Sequence, residues 1–247
     1  MLRLRTSPAL AHILPLAVFM VFTMVPGWIQ IENPLLPWWR RAPEQWVYPL
    51  QTVVVGSLLM AFREHYVFKP VRGLGLAIIL GVVGIALWFA PSLLYQRLIA
   101  EGAVKQDWWK WFGVAERLKG FDPSFFSDRP FWYASALFMR FSRMVIVVPL
   151  VEEIFWRSFL MRYVQAEGES FLRVPFGRHD WRAFATVTGL VVVAHQTEDY
   201  LGALIWGTLM YWLTVRTKSL AACVIMHAVA NLLLGIYVLK TKQWGFW

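Results

Sequence analysis

Charged residues and cysteine are scarce in this chain of 247 residues. Only 16% of the residues are charged, whereas 58% are hydrophobic and 17% aromatic; a soluble domain has about 25% charged residues. The single cysteine, Cys223, excludes an internal disulfide and leaves the redox compartment open. The sequence shows no internal repeat and no low-complexity tract. These features favour one integral membrane domain over a soluble globular protein.

Acidic residues are also few, with 15 Asp and Glu against 24 Lys and Arg, which gives a formal net charge of +9. The basic residues occur in short clusters between apolar runs, as positive-inside flanks and headgroup contacts do. We therefore expect the lipid bilayer as a partner and no nucleic acid. The positive-inside rule places four segments on the cytoplasmic side: the N-terminus, the loop after the second span, residues 165–182 and the turn at Arg216.

The apolar runs predict an all-α fold, a polytopic transmembrane helix bundle of about seven spans plus interfacial helices, because each span needs about 20 apolar residues. The predicted spans cover residues 10–31, 46–62, 74–94, 144–164, 183–196, 201–215 and 220–239. Gly75, Gly81 and Gly84 allow the third span to approach a neighbour closely. Arg140 and Arg143 divide a long apolar run, so residues 131–141 are predicted as a separate interfacial helix. Pro149 is expected to bend the fourth span.

Two further segments are expected to lie at or in the membrane. Arg3 and Arg5 precede an apolar run that is too long for a signal-peptide core and lacks a cleavage motif, so we expect a retained anchor. Residues 96–130 combine lysines with a tryptophan cluster, which is typical of an amphipathic interfacial segment. The cluster consists of Trp108, Trp109 and Trp111.

Few ionisable residues remain inside the predicted spans, and all of them lie in the last 100 residues of the chain. Such groups are costly in hydrocarbon and are candidates for function. They are Glu152, Glu153, Arg157, His195 and His227, and the polar residue Asn231 accompanies them. Taken singly, each has a structural interpretation as an ion pair or as a hydrogen bond between helices. Their concentration on three spans favours a functional site instead.

The spacing of these residues separates the two glutamates. Glu153 and Arg157 are i, i+4 neighbours, which predicts an ion pair on one helix face. Glu152 is rotated by about 100° around the helix and is expected to face His195 and His227 across the bundle. A carboxylate beside a histidine in a desolvated cavity suits a general base acting on water.

The depths of these residues in the membrane differ on the predicted topology. Glu152 lies at mid-span, whereas His195 lies near the outer end of its span. Tilt, the bend at Pro149 or a water-filled cavity would bring them together. Glu198 and Asp199, which follow His195, are expected to be solvated loop acids rather than metal ligands.

The motifs Glu-Glu-x-x-x-Arg, a later His, and His-x-x-x-Asn resemble those of the CPBP intramembrane proteases, which include the CAAX prenyl endopeptidases. The resemblance covers about residues 144–234. It implies that Glu152 and His195 activate water, that His227 and Asn231 hold the oxyanion, and that Glu153 supports the site together with Arg157. Two positions depart from the family pattern. Val191 stands where phenylalanine is usual, and Lys218 stands where glycine is common.

The resemblance implies a glutamic-type intramembrane endopeptidase acting on a membrane-associated or lipid-modified protein near its C-terminus. It also implies a multi-pass protein of the bacterial inner membrane. Residues 1–143 would form N-terminal spans and an interfacial loop, and residues 144–247 the catalytic core of one integral domain. We expect no cofactor; the alternative is zinc held by Glu152, His195 and His227. A proton-coupled transporter or a non-catalytic membrane scaffold is the competing function.

Overall fold

A computed structural model of the chain describes residues 7–33, 35–100, 117 and 120–247, and all regular structure in these ranges is helical. The helices are α1 Pro8–Ile29, α2 Trp38–Arg41, α3 Glu44–Ala61, α4 Leu74–Ala100, α5 Pro130–Tyr163, α6 Trp181–Val193, α7 Tyr200–Thr217 and α8 Leu220–Thr241. Short 3-10 turns lie at Arg63–His65, Pro123–Phe126, Phe171–Arg173, Thr197–Asp199 and Trp244–Phe246. The predicted all-α class is confirmed. Most of the predicted amphipathic segment 96–130 lies outside the described residues.

Four of the described helices are long and apolar enough to cross a membrane, namely α1, α4, α5 and α8. The protein is therefore an integral membrane protein. The other three predicted spans also form helices, α3, α6 and α7, but α6 has only 13 residues. The predicted total of about seven spans stays a prediction.

Helix α5 runs without a break from Pro130 to Tyr163, so the separate interfacial helix predicted at residues 131–141 is wrong. The two arginines that suggested a boundary are buried rather than solvated. The guanidinium of Arg143 donates to Gln51 Oε1 at 2.6 Å. The guanidinium of Arg140 lies 5.2 to 5.4 Å from the ring centroids of Tyr48, Phe121 and Trp247. Aromatic faces stabilise a cation within the bundle, and the helix continues past it.

Helix α5 is packed on two sides by separate apolar clusters. Val151 and Ile154, both 1% exposed, contact the side chains of α1 and α3, including Phe19 and Val55. Further along α5, Met161 packs against α6 and α7. These contacts place the turn that carries Glu152 and Glu153 at the centre of the bundle.

Neither of the two departures from the family pattern lines the cavity that holds the predicted catalytic residues. Val191 is buried against Met161 and Tyr211 in the cluster of α5, α6 and α7. Lys218 ends α7 in the left-handed conformation, with φ +50°, and its N–H donates to the Thr214 carbonyl at 2.8 Å. Glycine adopts this conformation without steric cost, which accounts for its use at such a C-cap.

Candidate active site

The acids of α5 lie on a short α-helical turn, Val148–Glu153, between two π-helical stretches, Arg143–Val147 and Ile154–Leu160. The first stretch leaves one carbonyl without a partner in its own helix. The N–H of Val148 donates to the Arg143 carbonyl, five residues back. The next donor in this pattern, for the Met144 carbonyl, would be residue 149, which is a proline and has no N–H.

Asn231 of α8 supplies the missing donor. Its Nδ2 donates to the Met144 carbonyl at 2.6 Å. An unpaired buried carbonyl costs free energy, so this bond ties α8 to the distorted part of α5. Because the amide has two N–H groups, one of them remains for a further partner.

We expect Asn231→Ala to lower the free energy of unfolding by about 1 to 3 kcal/mol, because the Met144 carbonyl would then be unpaired. In a Pro149→Ala background the loss should be smaller, since residue 149 regains an N–H for that carbonyl. Chemical unfolding of the parent, both single variants and the double variant in detergent gives the coupling between the two positions. Equal losses in the two backgrounds would contradict this role of Asn231.

Glu153 uses both carboxylate oxygens. Its Oε2 lies 3.4 Å from Arg157 Nε, and its Oε1 accepts a hydrogen bond from His227 Nδ1 at 2.8 Å. The side chains of Glu153 and Arg157 are 2% and 1% exposed. The predicted Glu153 and Arg157 pair is present, but the expectation that Glu152 would be the partner of His227 is wrong. A buried carboxylate has a second oxygen that needs a donor, and His227 provides it.

His195 follows the end of α6 rather than lying within it, because the helix ends at Val193, three residues before the end of the predicted span. Its Nδ1 lies 2.7 Å from the Val191 carbonyl. A carbonyl can only accept, so Nδ1 carries a proton and Nε2 is the ring nitrogen left for another partner. A helix of 13 residues is about 20 Å long, shorter than the hydrocarbon core of about 30 Å. Because the helix ends early, His195 lies in the α6–α7 connection, where it lines the same cavity as Glu152.

A cavity of about 180 Å³ connects these elements. Its lining includes all four residues predicted to be catalytic, which come from α5, the α6–α7 connection and α8: Glu152, His195, His227 and Asn231. Glu152 is partly exposed, and among the described residues its carboxylate makes no direct hydrogen bond or ion pair. The structure thus brings the four residues together, and their individual roles stay predictions.

Two tryptophan rings contact the histidines of the cavity. The Trp88 ring meets His195 edge-on with 5.4 Å between centroids, and Trp206 meets His227 in the same way at 5.3 Å. A Cβ added to Gly84 would lie 2.8 Å from the Trp206 ring. The close approach predicted for α4 is therefore confirmed at Gly84, where it makes room for a ring that contacts a site histidine. It is wrong at Gly75, where an added Cβ would meet nothing within 4 Å.

An ion pair at the cavity was not predicted from the sequence. Arg117 Nη2 lies 2.5 Å from Asp199 Oδ1, and both residues line the cavity. Arg117 also donates from Nε to Ser92 Oγ at 2.9 Å. Asp199 was expected to be solvated, but its side chain is 14% exposed because Arg117 covers it. In the sequence, only the position of Asp199 four residues after His195 indicated that this acid lies near the site.

The residues of the alternative zinc site are not grouped as metal ligands in the described part of the chain, and the use of a metal stays a prediction. In the part of the chain that the structure describes, no three or more His, Cys, Asp and Glu side chains form a group able to hold a metal ion. Glu152, His195 and His227 line one cavity, yet they do not converge as a ligand set.

Comparison with known proteins gives one finding. Neither a search of curated proteins nor a search of solved structures returns a match. Residues 134–233 match the family model described as type II CAAX prenyl endopeptidase, Rce1-like. This range contains the four predicted catalytic residues together with Glu153 and Arg157. The resemblance inferred from the sequence is confirmed by this match, which supports the CAAX protease family for residues 134–233.

Proposed function

We propose that the protein is an intramembrane endopeptidase that hydrolyses a peptide bond near the C-terminus of a membrane-associated or lipid-modified protein. The observation that carries this proposal is the single cavity lined by Glu152, His195, His227 and Asn231. A carboxylate, two imidazoles and an amide supply the base and the oxyanion donors that peptide hydrolysis requires. The family match over the same residues supports a protease.

In the proposed mechanism Glu152 and His195 activate a water molecule. The partly exposed carboxylate of Glu152 accepts a proton from the water as its oxygen attacks the scissile carbonyl carbon. His195 orients that water through Nε2, because its Nδ1 is bonded to the Val191 carbonyl. The proton then passes to the leaving nitrogen, which departs as an amine while the new carboxylate forms.

The opposite side of the cavity stabilises the oxyanion. His227 acts as an imidazolium that donates Nδ1–H to Glu153 and Nε2–H to the oxyanion. Asn231 donates its second amide N–H, since the first is bonded to the Met144 carbonyl. Glu153 thus orients His227, and Arg157 compensates the charge of Glu153. Loss of one oxyanion donor typically lowers kcat by about 100- to 1000-fold.

The test of the proposed function is cleavage by the purified protein reconstituted in lipid. Prenylated peptides with a free C-terminus and the same peptides without the lipid are incubated with the protein, and the products are identified by mass spectrometry. We expect C-terminally shortened products. Solute flux across proteoliposomes without any cleavage would instead favour the transporter. A comparison of membrane proteomes from cells with the parent or with Glu152→Gln extends the test to native substrates, and the location in a bacterial inner membrane remains part of the proposal.

We further propose hydrolysis without a metal. Treatment with a chelator, followed by its removal, is expected to leave the rate of peptide cleavage unchanged, because the proposed base and donors are all side chains. The measurement compares initial rates before and after chelation, and again after zinc is added. A loss of activity that zinc restores would contradict this proposal and assign Glu152, His195 and His227 to a metal.

A further inference from the structure

A basic pocket of about 410 Å³ lies at the other end of the bundle from the active-site cavity. Four cationic residues line it: Lys69, Arg72, Arg162 and Lys218. Lys218 follows the last residue of α7, whereas His195 and Asp199 precede its first residue. Because α7 has 18 residues, the two sites are separated by about 27 Å along this helix.

The cations of this pocket come from segments that are distant in the sequence. Arg72 precedes α4, Arg162 belongs to the last turn of α5, and Lys218 connects α7 to α8. Arg72 and Lys218 also line an adjoining pocket of about 460 Å³, to which Arg216 contributes. The basic loops that the sequence assigned to one side of the membrane therefore meet in one concave surface.

No carboxylate among the described residues lines the pocket and compensates its positive charge. The guanidinium of Arg162 donates to three backbone carbonyls, at 2.8 to 3.4 Å: those of Ser158, Leu172 and Val174. Arg72 donates to the Thr217 carbonyl at 2.5 Å. Within the described ranges none of the four pocket cations forms an ion pair.

Neighbouring arginines behave differently, which makes this lack of acids specific to the pocket. Arg173 pairs with Glu169 at 3.2 Å, and Arg182 pairs with Glu167 at 3.0 Å. Both pairs lie in the connection between α5 and α6 or at the start of α6, and both are exposed. The pocket cations, in contrast, converge on a space with no carboxylate among its described lining residues.

Apolar side chains form the rest of the wall. Val67 and Leu172 are 70% and 47% exposed, and both line the pocket beside the cations. Exposed apolar groups next to fixed cations suit a ligand with an anionic head and an acyl chain. Basic pockets between membrane helices bind phosphate-bearing headgroups in this way.

We propose that this pocket binds a phosphate group, with the headgroup of an anionic phospholipid as the favoured source and a free phosphate as the other. The guanidinium groups of Arg72 and Arg162 and the ammonium groups of Lys69 and Lys218 surround the phosphate oxygens. The apolar wall at Val67 and Leu172 contacts the acyl chain. This site is independent of the proposed peptidase activity.

The conformation of Lys218 provides a variant that separates binding from folding. Lys218 has φ +50°, a region in which glycine is less strained than any L-residue. Lys218→Gly is therefore expected to unfold at the same or a higher temperature than the parent when no ligand is present. Its affinity for the phosphate group should fall about five-fold, the effect of one cation near an anionic headgroup.

Lys242→Gly is the matched control. Lys242 also ends a helix in the left-handed conformation, with φ +56°, at the C-terminus of α8. It lies at the opposite end of the bundle from the basic pocket and does not line it. The same backbone strain is relieved, but phosphate affinity should remain that of the parent. Lys69→Gln serves as a second pocket variant without any change of backbone preference.

The experiment measures thermal unfolding of the full-length protein in detergent while one ligand is titrated. The ligands are phosphatidylglycerol, phosphatidylcholine and inorganic phosphate. We expect phosphatidylglycerol to raise the unfolding temperature, phosphatidylcholine to have no comparable effect, and both pocket variants to need more phosphatidylglycerol for the same shift. An equal, variant-sensitive shift with inorganic phosphate would support the site with a soluble ligand as its source. Equal shifts with both lipids, or parent-like binding by both pocket variants, would overturn the proposal.

Discussion

Glu152→Gln is expected to reduce peptide cleavage by about 100- to 10,000-fold, the range contributed by a positioned general base. Glutamine has nearly the same shape as glutamate but cannot accept the proton of the attacking water. Because the Glu152 carboxylate makes no hydrogen bond or ion pair among the described residues, the substitution removes no structural contact that holds the bundle. The measurement is kcat with a reconstituted substrate, together with the unfolding temperature, which should not fall.

Glu198→Gln is the control for this prediction. Glu198 lies next to the cavity residue Asp199, but its carboxylate accepts from Thr197 Oγ1 at 3.2 Å and does not line the cavity. Its replacement removes the same charge from nearly the same region, so kcat should stay within a few-fold of the parent. Cleavage by Glu152→Gln at the parent's rate would show that another group activates the water.

The separation of the two adjacent glutamates was accessible from sequence only in part. The i, i+4 spacing predicted the contact between Glu153 and Arg157, because side chains one turn apart meet on any helix. The second oxygen of Glu153 was not considered, and its bond to His227 is a contact between α5 and α8. Spacing along one helix carries no information about such a contact.

The course of α5 was less predictable than its composition suggested. A pattern of apolar residues does not distinguish α-helical from π-helical turns, so the two π-helical stretches around Glu152 were not foreseen. Arg140 and Arg143 were interpreted as boundary residues because charge normally marks the end of a span. Their aromatic and amide partners lie on other elements, and only the folded arrangement shows that these arginines are buried.

The location of the cavity followed more directly from the sequence. Ionisable residues inside apolar helices must find partners or water, so Glu152, His195 and His227 were expected to meet. Arg117 could not be added in this way, because it lies in a loop where a charged residue is ordinary. Its contacts with Asp199 and Ser92 join positions that are distant in the sequence, which no local pattern predicts.

Glu153→Gln is expected to lower the free energy of unfolding by about 3 to 5 kcal/mol, the cost of leaving a buried charge without its partner. Arg157 is 1% exposed, and its Nε and Nη1 make no hydrogen bond within the described part of the chain, so the carboxylate is the group that compensates it. His227 would lose the same compensation. Chemical unfolding in detergent measures the loss, and kcat should fall as well.

Two further variants distinguish the effect of a buried charge from the effect of losing any ion pair. They are Glu169→Gln and the double variant Glu153→Gln with Arg157→Met. Glu169 and Arg173 form an i, i+4 pair of the same order, but the two side chains are 62% and 74% exposed, so Glu169→Gln should cost less than about 1 kcal/mol. The double variant removes both buried charges and should recover most of the stability. Its kcat should remain low, because His227 still lacks the carboxylate that holds its imidazolium form. Recovery of both stability and cleavage would show that Glu153 serves only to balance Arg157.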